Sequence, residues 1–284
     1  MATIMKGSDV AAAMRETLLT ELEKLRRKGV DPTLGVVRVG SRADDLAYER
    51  GVLKRFKELG IATRVFEFPE KIDSKDFLAE FVKVGASSAL QGILLFRPLP
   101  KHLDEDAARR AIDPLKDMDG MNPLNVAKVF AGEEDGFAPC TSVAVMELLS
   151  HWGVTLTGKN VAIVGRSMVV GRPLAMLMLK KDATVTMCHT KTQNVREICR
   201  EADILVAAAG RAHMVTPAFV SSKSIVVDVG INMEDGNLCG DVDYDAVSPL
   251  VSMITPVRGG VGAVTTSVLA KHILKAASLL AANL

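Results

Sequence analysis

A turn that contains glycine and arginine, at residues 164–173, is the first reactive pattern in this chain. Gly165 and Gly171 are not spaced as in the GxGxxG dinucleotide motif. The turn nevertheless follows a short apolar run and precedes a helical pattern, where a Rossmann-type domain binds a pyrophosphate. Gly165 would let the backbone approach a ligand closely, and Arg166 and Arg172 would supply positive charge. The pattern favours a nucleotide phosphate site, with an ordinary strand-to-helix turn as the alternative.

The residues that end the next predicted strand discriminate between nucleotides. An NAD site usually carries Asp or Glu there, about 20 residues after the turn, to bind the ribose 2′-hydroxyl. Here residues 187–191 read Met-Cys-His-Thr-Lys and contain no acid. Thr190 can donate a hydroxyl hydrogen bond, and Lys191 and Arg166 supply charge, so the pattern favours NADP over NAD. His189 taken alone is more typical of a structural histidine.

Composition and charge limit the class of protein. The 284 residues are 48% apolar and 24% charged, with a net charge of +1. This balance excludes a disordered chain and gives no overall attraction to nucleic acid or to an acidic membrane. We find neither a bilayer-spanning apolar stretch nor a secretory signal pattern, and we expect a cytoplasmic protein without membrane contact. The four cysteines show no zinc-ligand spacing, so we expect free thiols and no metal site.

The strands and helices that carry these residues are predicted from hydrophobic periodicity. Predicted strands lie at residues 34–39, 62–68, 92–96, 161–164, 184–188, 204–207, 224–229 and 253–254. Helical patterns between the strands imply right-handed parallel crossovers. The stretch 113–139 is rich in Asp, Gly, Asn and Pro, which predicts a loop that carries function or joins domains. We therefore predict an α/β protein of two domains, with a ligand in the cleft between them.

Several longer motifs run through the chain in order and without evident gaps. They occupy residues 114–120, 139–141, 158–173, 185–192, 228–232, 240–243, 255–257 and 259–262. Together they resemble the methylenetetrahydrofolate dehydrogenase/cyclohydrolase family of the FolD type. This resemblance implies an N-terminal α/β folate domain, residues 1–139 plus 264–284. It also implies a C-terminal Rossmann-like NADP domain, residues 140–263, and a homodimer.

The resemblance also implies two activities and a set of site residues. One activity oxidises 5,10-methylene-tetrahydrofolate to 5,10-methenyl-tetrahydrofolate, and the other hydrolyses that product to 10-formyl-tetrahydrofolate. Asp119 would bind the pterin ring of this small-molecule substrate, and Tyr48 would help to place it. The expected cofactor-binding residues are Gly165, Arg166, Ser167, Gly171, Thr190, Lys191 and Ile231.

The family's helix signature, Ser-x-x-Tyr-x-x-x-Lys-x-Lys, is only partly present. Tyr48 and Lys54 match, but the first lysine, the family's general acid/base, falls on Val52. The serine falls on Asp45, which shares the helix face of Tyr48 and Val52. Phe96 stands where the family has the glutamine that hydrogen-bonds this lysine. The lysine and its polar partner are therefore lost together, which indicates coordinated remodelling.

The two reactions make different demands on these positions. Hydride transfer depends mostly on positioning, and its hard chemistry belongs to the cofactor. Hydrolysis needs proton transfer, to which a positioned acid/base contributes about 10²–10⁴-fold and valine contributes nothing. We therefore expect an NADP-dependent dehydrogenase with weak or absent cyclohydrolase. The alternatives are a bifunctional enzyme in which Asp45, Arg97 or a water chain replaces the lysine, and a folate- or nucleotide-binding protein with little catalysis.

Overall fold

The computed structural model describes residues 2–282, which form two compact units. The C-terminal unit comprises the residues up to Ala12 and the segment Thr141–Thr265. The N-terminal unit comprises Ala13–Cys140 and the residues from Thr266 onward. Each unit contains a parallel sheet with helices, so the predicted two-domain α/β fold is confirmed.

The helices and strands alternate along most of the chain. In order they are β1 (Thr3–Ile4), α1 (Gly7–Arg27), β2 (Thr33–Val39), α2 (Ala43–Leu59), β3 (Ala62–Phe68), α3 (Ser74–Ala86), β4 (Gly92–Leu95), α4 (Glu105–Ala111), α5 (Pro123–Ala131), α6 (Cys140–His151), β5 (Asn160–Val164), α7 (Gly171–Leu179), β6 (Thr184–Cys188), α8 (Val195–Glu201), β7 (Ile204–Ala207), β8 (Ile225–Asp228), β9 (Asn232–Glu234), β10 (Asn237–Cys239), α9 (Tyr244–Val247), β11 (Met253–Ile254) and α10 (Gly262–Ala282). None of the helices described over residues 2–282 combines the length and apolar character needed to cross a bilayer.

The sheet of the N-terminal unit is parallel, with strand order β3-β2-β4 over the described residues. The central strand β2 is almost wholly apolar, and Leu34, Val36 and Val37 are fully buried in it. Such a continuous apolar run is what a strand covered on both faces requires. Because β4 ends at Leu95, Phe96 and the residues after it leave the sheet at its carboxyl edge.

The larger sheet of the C-terminal unit has the order β1-β11-β8-β7-β5-β6 in the described part of the chain, and its pairs are all parallel. From β5 the chain goes first to β6 on one side and then to β7 on the other. This reversal makes the carboxyl end of β5 a topological switch point, which is where open α/β sheets bind ligands. The predicted nucleotide turn begins at this end.

The start of the chain belongs to the C-terminal unit, whereas the sequence prediction placed residues 1–139 together in the other domain. β1 adds to the edge of the larger sheet, where Thr3 is opposite Met253 and Ile4 is opposite Ile254. A two-residue strand carries too little pattern to be predicted from sequence. The unit boundaries near Cys140 and Thr265 lie close to the predicted ones.

The prediction of a continuous loop over residues 113–139 is wrong, because α5 lies inside it. Asn122 caps this helix by accepting a hydrogen bond from the Leu124 N–H at 2.8 Å, and Pro123 occupies the first turn. Gly132, at φ 75°, ends the helix. The Asn-Pro pair is typical of a turn, but here it starts a helix, since a first-turn proline needs no hydrogen-bonded N–H.

Candidate functional site

The glycine turn after β5 is folded so tightly that side chains do not fit at two positions. Gly165 has φ 135°, and a Cβ there would collide with the carbonyl oxygen of Ala208. A Cβ at Gly171 would in turn collide with the carbonyl oxygen of Gly165. The spacing differs from GxGxxG, but the physical requirement is the same. The backbone of the turn must lie close to neighbouring backbone segments and to a ligand, which leaves no room for a Cβ atom.

This turn presents positive charge at the start of α7. The Arg166 and Ser167 side chains are exposed, and the Ser167 hydroxyl also accepts a hydrogen bond from the Val170 N–H at 3.1 Å. Ser142 holds the turn from α6 by donating to the carbonyl oxygens of Val169 and Val170, at 3.2 and 3.1 Å. Val170 makes no side-chain cap to α7, so the positive end of the helix dipole at this turn suits an anionic group.

The residues after β6 lie at the same sheet edge, since β6 pairs with β5 in parallel. Thr190 and Lys191 are exposed there. His189 shapes this turn: its Nδ1 accepts a hydrogen bond from the Lys191 N–H at 3.1 Å, and its own N–H donates to the Thr192 hydroxyl at 2.8 Å. The geometry supports a structural role for His189. The cationic, acid-free edge fits a 2′-phosphate better than a 2′-hydroxyl.

A buried aspartate at the end of β8 organises the next loop, and its role escaped the sequence prediction. Asp228 accepts hydrogen bonds from the N–H groups of Gly230, Asp241 and Val242 at 2.9, 3.1 and 3.0 Å. Burial raises the pKa of Asp228 to about 6, although these hydrogen bonds oppose the shift. A Cβ at Gly240 would collide with the Asp228 carboxylate, so glycine is required there.

Asp241 continues this network. Its carboxylate accepts hydrogen bonds from the N–H groups of residues 209–211 at 2.6, 2.9 and 2.8 Å, and from Asn232 Nδ2 at 2.9 Å. Between the two aspartates, Ile231 is held 70% exposed just beyond β8. An apolar side chain fixed in water at the carboxyl edge of the sheet suits contact with a flat ligand ring. In the sequence, the Asp-Val-Gly pattern at Asp228 and the Gly-Asp-Val pattern at Asp241 are the signals that could have indicated these two residues.

In the N-terminal unit, the residues that depart from the family pattern lie on α2 and directly after β4. Val52 is fully buried and Phe96 is 6% exposed. The rings of Tyr48 and Phe96 are in contact, with centroids 5.5 Å apart and an interplanar angle of 42°. Where the resemblance implies an amine beside a polar partner, the structure places a buried aliphatic side chain and an aromatic ring. Lys54 is exposed on α2.

Asp45, the one carboxylate suggested as a substitute acid/base, is engaged by a neighbour. Arg42 Nε and Nη2 contact its two carboxylate oxygens at 2.8 and 3.0 Å. This bidentate pair at the start of α2 fixes the carboxylate geometry. Both carboxylate oxygens of Asp45 are therefore engaged by Arg42.

Asp119 occupies a polar site of its own. Its Oδ1 accepts a hydrogen bond from the Cys140 N–H at 2.9 Å, and its Oδ2 lies 3.3 Å from Arg97 Nη2. Arg97 also approaches Glu105, at 4.0 Å. Burial raises the pKa of Asp119, while the Arg97 guanidinium and the Cys140 amide favour the ionised form. Because a guanidinium does not lose its proton, Arg97 acts as a charge partner and cannot replace a lysine acid/base.

The loop that carries Asp119 is supported by His272 of α10, a contact that the sequence prediction did not include. The buried His272 hydrogen-bonds through Nδ1 to the Met118 carbonyl oxygen at 2.8 Å, and Cys140 Sγ contacts the same oxygen at 3.3 Å. Burial lowers the pKa of His272 to about 4, so the ring is neutral and its Nδ1–H donates to the carbonyl oxygen. Gly120, at φ 60°, allows the loop to turn, since a Cβ there would collide with the Phe137 carbonyl oxygen.

The two units match two models of one protein family. Residues 5–119 match the tetrahydrofolate dehydrogenase/cyclohydrolase catalytic domain, and residues 139–281 match the NAD(P)-binding domain of the same family. The chain belongs to the tetrahydrofolate dehydrogenase/cyclohydrolase family. The resemblance inferred from the motifs is thus confirmed.

Relatives of this family member are similar over their full lengths. The bifunctional protein FolD of Clostridioides difficile is 52% identical over 277 residues, covering 97% of this chain and 96% of that protein. The structure of the bifunctional enzyme FolD from Campylobacter jejuni has a TM-score of 0.95 at 37% identity and covers 99% of this chain and 100% of its own. A FolD structure from Trypanosoma brucei, complexed with NADP cofactor and inhibitor, has a TM-score of 0.93 at 34% identity and covers 99% of this chain and 98% of its own.

Proposed function

We propose that this FolD-type protein is an NADP-dependent methylenetetrahydrofolate dehydrogenase whose cyclohydrolase activity is weak or absent. The observation that carries the second part is the apolar environment at Val52 and Phe96, where the family has a lysine and its glutamine partner. Family membership and the relatives named above support the dehydrogenase activity.

The C-terminal unit supplies the features that binding of NADP needs. Gly165 and Gly171 let the turn approach a pyrophosphate, and Arg166 and Lys191 stand at the sheet edge where the 2′-phosphate would lie. Ile231 offers an exposed apolar side chain at the carboxyl end of β8. Bound NADP supplies the chemistry of hydride acceptance.

The N-terminal unit supplies an anchor for the folate. An ionised Asp119 can accept paired N–H hydrogen bonds from the pterin 2-amino group and ring nitrogen. The Cys140 amide and the Arg97 guanidinium hold the carboxylate in place. The Tyr48 ring is in contact with Phe96 and would help to place the substrate. Oxidation breaks one methylene C–H bond, whose electron pair leaves as hydride, so this step requires no protein base.

Hydrolysis of the methenyl product is different, because water must lose protons as the ring opens. Val52 cannot exchange a proton, and Asp45 is tied to Arg42. The Arg97 guanidinium stays protonated and cannot act as a base. The described side chains at these positions therefore provide no free acid/base, and the expected loss is about 10²–10⁴-fold in the hydrolytic rate.

The bifunctional alternative rests on a specific observation: a relative that is 52% identical in sequence is called a bifunctional FolD protein. In that case Asp45 or an ordered water chain would move the protons. A third hypothesis is a folate- or nucleotide-binding protein with little turnover. The glycine and arginine residues of the nucleotide turn argue against it, because a protein without hydride transfer has little need of NADP.

Assays of the two steps on the purified full chain separate these functions. Formation of NADPH with methylene-tetrahydrofolate, together with accumulation of methenyl-tetrahydrofolate, is the outcome expected for the proposed dehydrogenase. Hydrolysis of methenyl-tetrahydrofolate as fast as it is formed would establish the bifunctional enzyme instead. Absence of NADPH formation, with folate still bound, would favour the binding protein.

We also infer a homodimer, which the family resemblance supports. Light scattering on the purified chain tests this, and a monomer mass at micromolar concentration would contradict it.

A further inference from the structure

Three side chains of metal-binding types converge beside the loop of the C-terminal unit that follows β8. The ligand atoms of His213, Glu234 and Cys239 lie within 4.8 Å of one another. His213 Nε2 is 3.1 Å from Glu234 Oε2. The Cys239 side chain is buried beneath this exposed pair.

The backbone holds the three residues in this arrangement. Glu234 and Cys239 lie on the paired strands β9 and β10, which run antiparallel. His213, in the loop after β7, takes φ 53° and donates its N–H to the Gly240 carbonyl oxygen at 3.2 Å. The Asp241 carboxylate links the loop after β7 to the β9–β10 hairpin, since it accepts hydrogen bonds from residues 209–211 and from the hairpin. The cluster is therefore built on fixed backbone, as a binding site requires.

The donor set is chemically selective. Thiolate, imidazole and carboxylate together suit zinc-class divalent ions rather than magnesium or calcium, which prefer oxygen alone. Ligands at about 2.0–2.3 Å from a tetrahedral zinc lie roughly 3.4–3.8 Å apart. The observed separations need only small side-chain movements to reach that geometry, and the exposed His213 and Glu234 side chains can rotate.

The surrounding charge favours a cation. The carboxylates of Glu234, Asp228 and Asp241 act electrostatically on the Cys239 side chain. The same negative groups attract a divalent ion. His213 faces Glu234 directly, so a metal would lie between these two side chains and replace their direct contact.

We propose that the C-terminal unit binds one zinc-class divalent transition-metal ion through His213 Nε2, a Glu234 carboxylate oxygen and Cys239 Sγ. Three protein ligands leave a fourth position for water. The ion cross-links the β9–β10 hairpin to the loop after β7. The cysteine and histidine spacing of the sequence predicted no metal site, because these ligands come from three segments that only the fold brings together.

Titration of the reduced full chain with Co²⁺, followed by absorption spectroscopy, tests the proposal. We expect one equivalent to bind, with a thiolate-to-cobalt charge-transfer band that added Zn²⁺ abolishes. Cys239→Ser removes the band, and His213→Ala or Glu234→Gln weakens binding by at least about tenfold.

Cys199→Ser is the matched control, because Cys199 is another buried thiol of the same unit and lies outside the cluster. It should bind Co²⁺ like the unmodified chain. A band that survives Cys239→Ser, or one that disappears in Cys199→Ser, would overturn the assignment, as would the absence of stoichiometric binding. If Cys239→Ser does not fold, unchanged affinity in both His213→Ala and Glu234→Gln overturns it equally.

Discussion

Reintroducing an acid/base at position 52 tests the proposed separation of oxidation from hydrolysis. In Val52→Lys alone, the new amine would enter a fully buried position, one helical turn after Tyr48, whose ring contacts Phe96. Burial lowers the pKa of such an amine, and a buried polar group without a partner costs about 1–3 kcal/mol. We therefore expect the single variant to be destabilised and to gain little hydrolytic activity.

The double variant Val52→Lys with Phe96→Gln restores both the amine and an amide oxygen that accepts its hydrogen bond. A positioned acid/base contributes about 10²–10⁴-fold. We expect at least about a 100-fold rise in hydrolysis, which corresponds to about 2.7 kcal/mol of activation free energy. The change also removes the Tyr48–Phe96 ring contact, worth about 0.5–1.5 kcal/mol. The double variant should therefore be less stable than the unmodified protein.

The assay follows the disappearance of methenyl-tetrahydrofolate against its uncatalysed decay, with NADPH formation measured in parallel. Val52→Met with Phe96→Gln is the matched control, because methionine is long but has no titratable group. Equal hydrolysis in the lysine and methionine double variants would refute the role assigned to position 52. Rapid hydrolysis by the unmodified protein would refute it as well, and Asp45 would then be the residue to replace.

Three further changes have expected outcomes. Arg166→Ala should lower the NADP-over-NAD ratio of kcat/KM by about tenfold or more, because a charge-assisted bond to phosphate contributes roughly 1.5–3 kcal/mol; an unchanged ratio contradicts the placement of the 2′-phosphate. Asp119→Ala should raise the KM for the folate and lower kcat while leaving NADP affinity nearly unchanged, and unaffected oxidation would disprove the pterin anchor. The pKa of His272 is about 4 in the folded protein and about 6.5 in the unfolded chain. Between these values only the unfolded state gains a proton, so stability falls by about 2.5 kcal/mol from pH 7 to pH 4.5. The free energy of urea unfolding of His272→Gln should not show this loss between pH 7 and pH 4.5. An identical pH dependence of that free energy in the variant and the unmodified protein would show that the buried ring is not the source of the loss.

The sequence alone was sufficient for the fold class and for the family motifs. Apolar runs such as residues 161–164 predicted the strands, because a strand buried on both faces must be apolar throughout. The turn at Gly165 and the acid-free edge at Lys191 predicted the nucleotide chemistry, because both depend on residues adjacent in the chain. The family motifs added Asp119, and the loss of the lysine at Val52 was visible as a single substitution.

Contacts between distant segments were decided only by the tertiary structure. His272 supports the Met118 carbonyl across 154 positions of sequence, and no local pattern connects the two residues. Asp241 joins its own loop to residues 209–211, which lie 30–32 positions earlier in the chain, and the pairing of Arg97 with Asp119 spans 22 positions. Periodicity and propensity describe neighbours within a few residues, whereas hydrogen bonds and charge pairs form wherever the folded backbone brings donors and acceptors together.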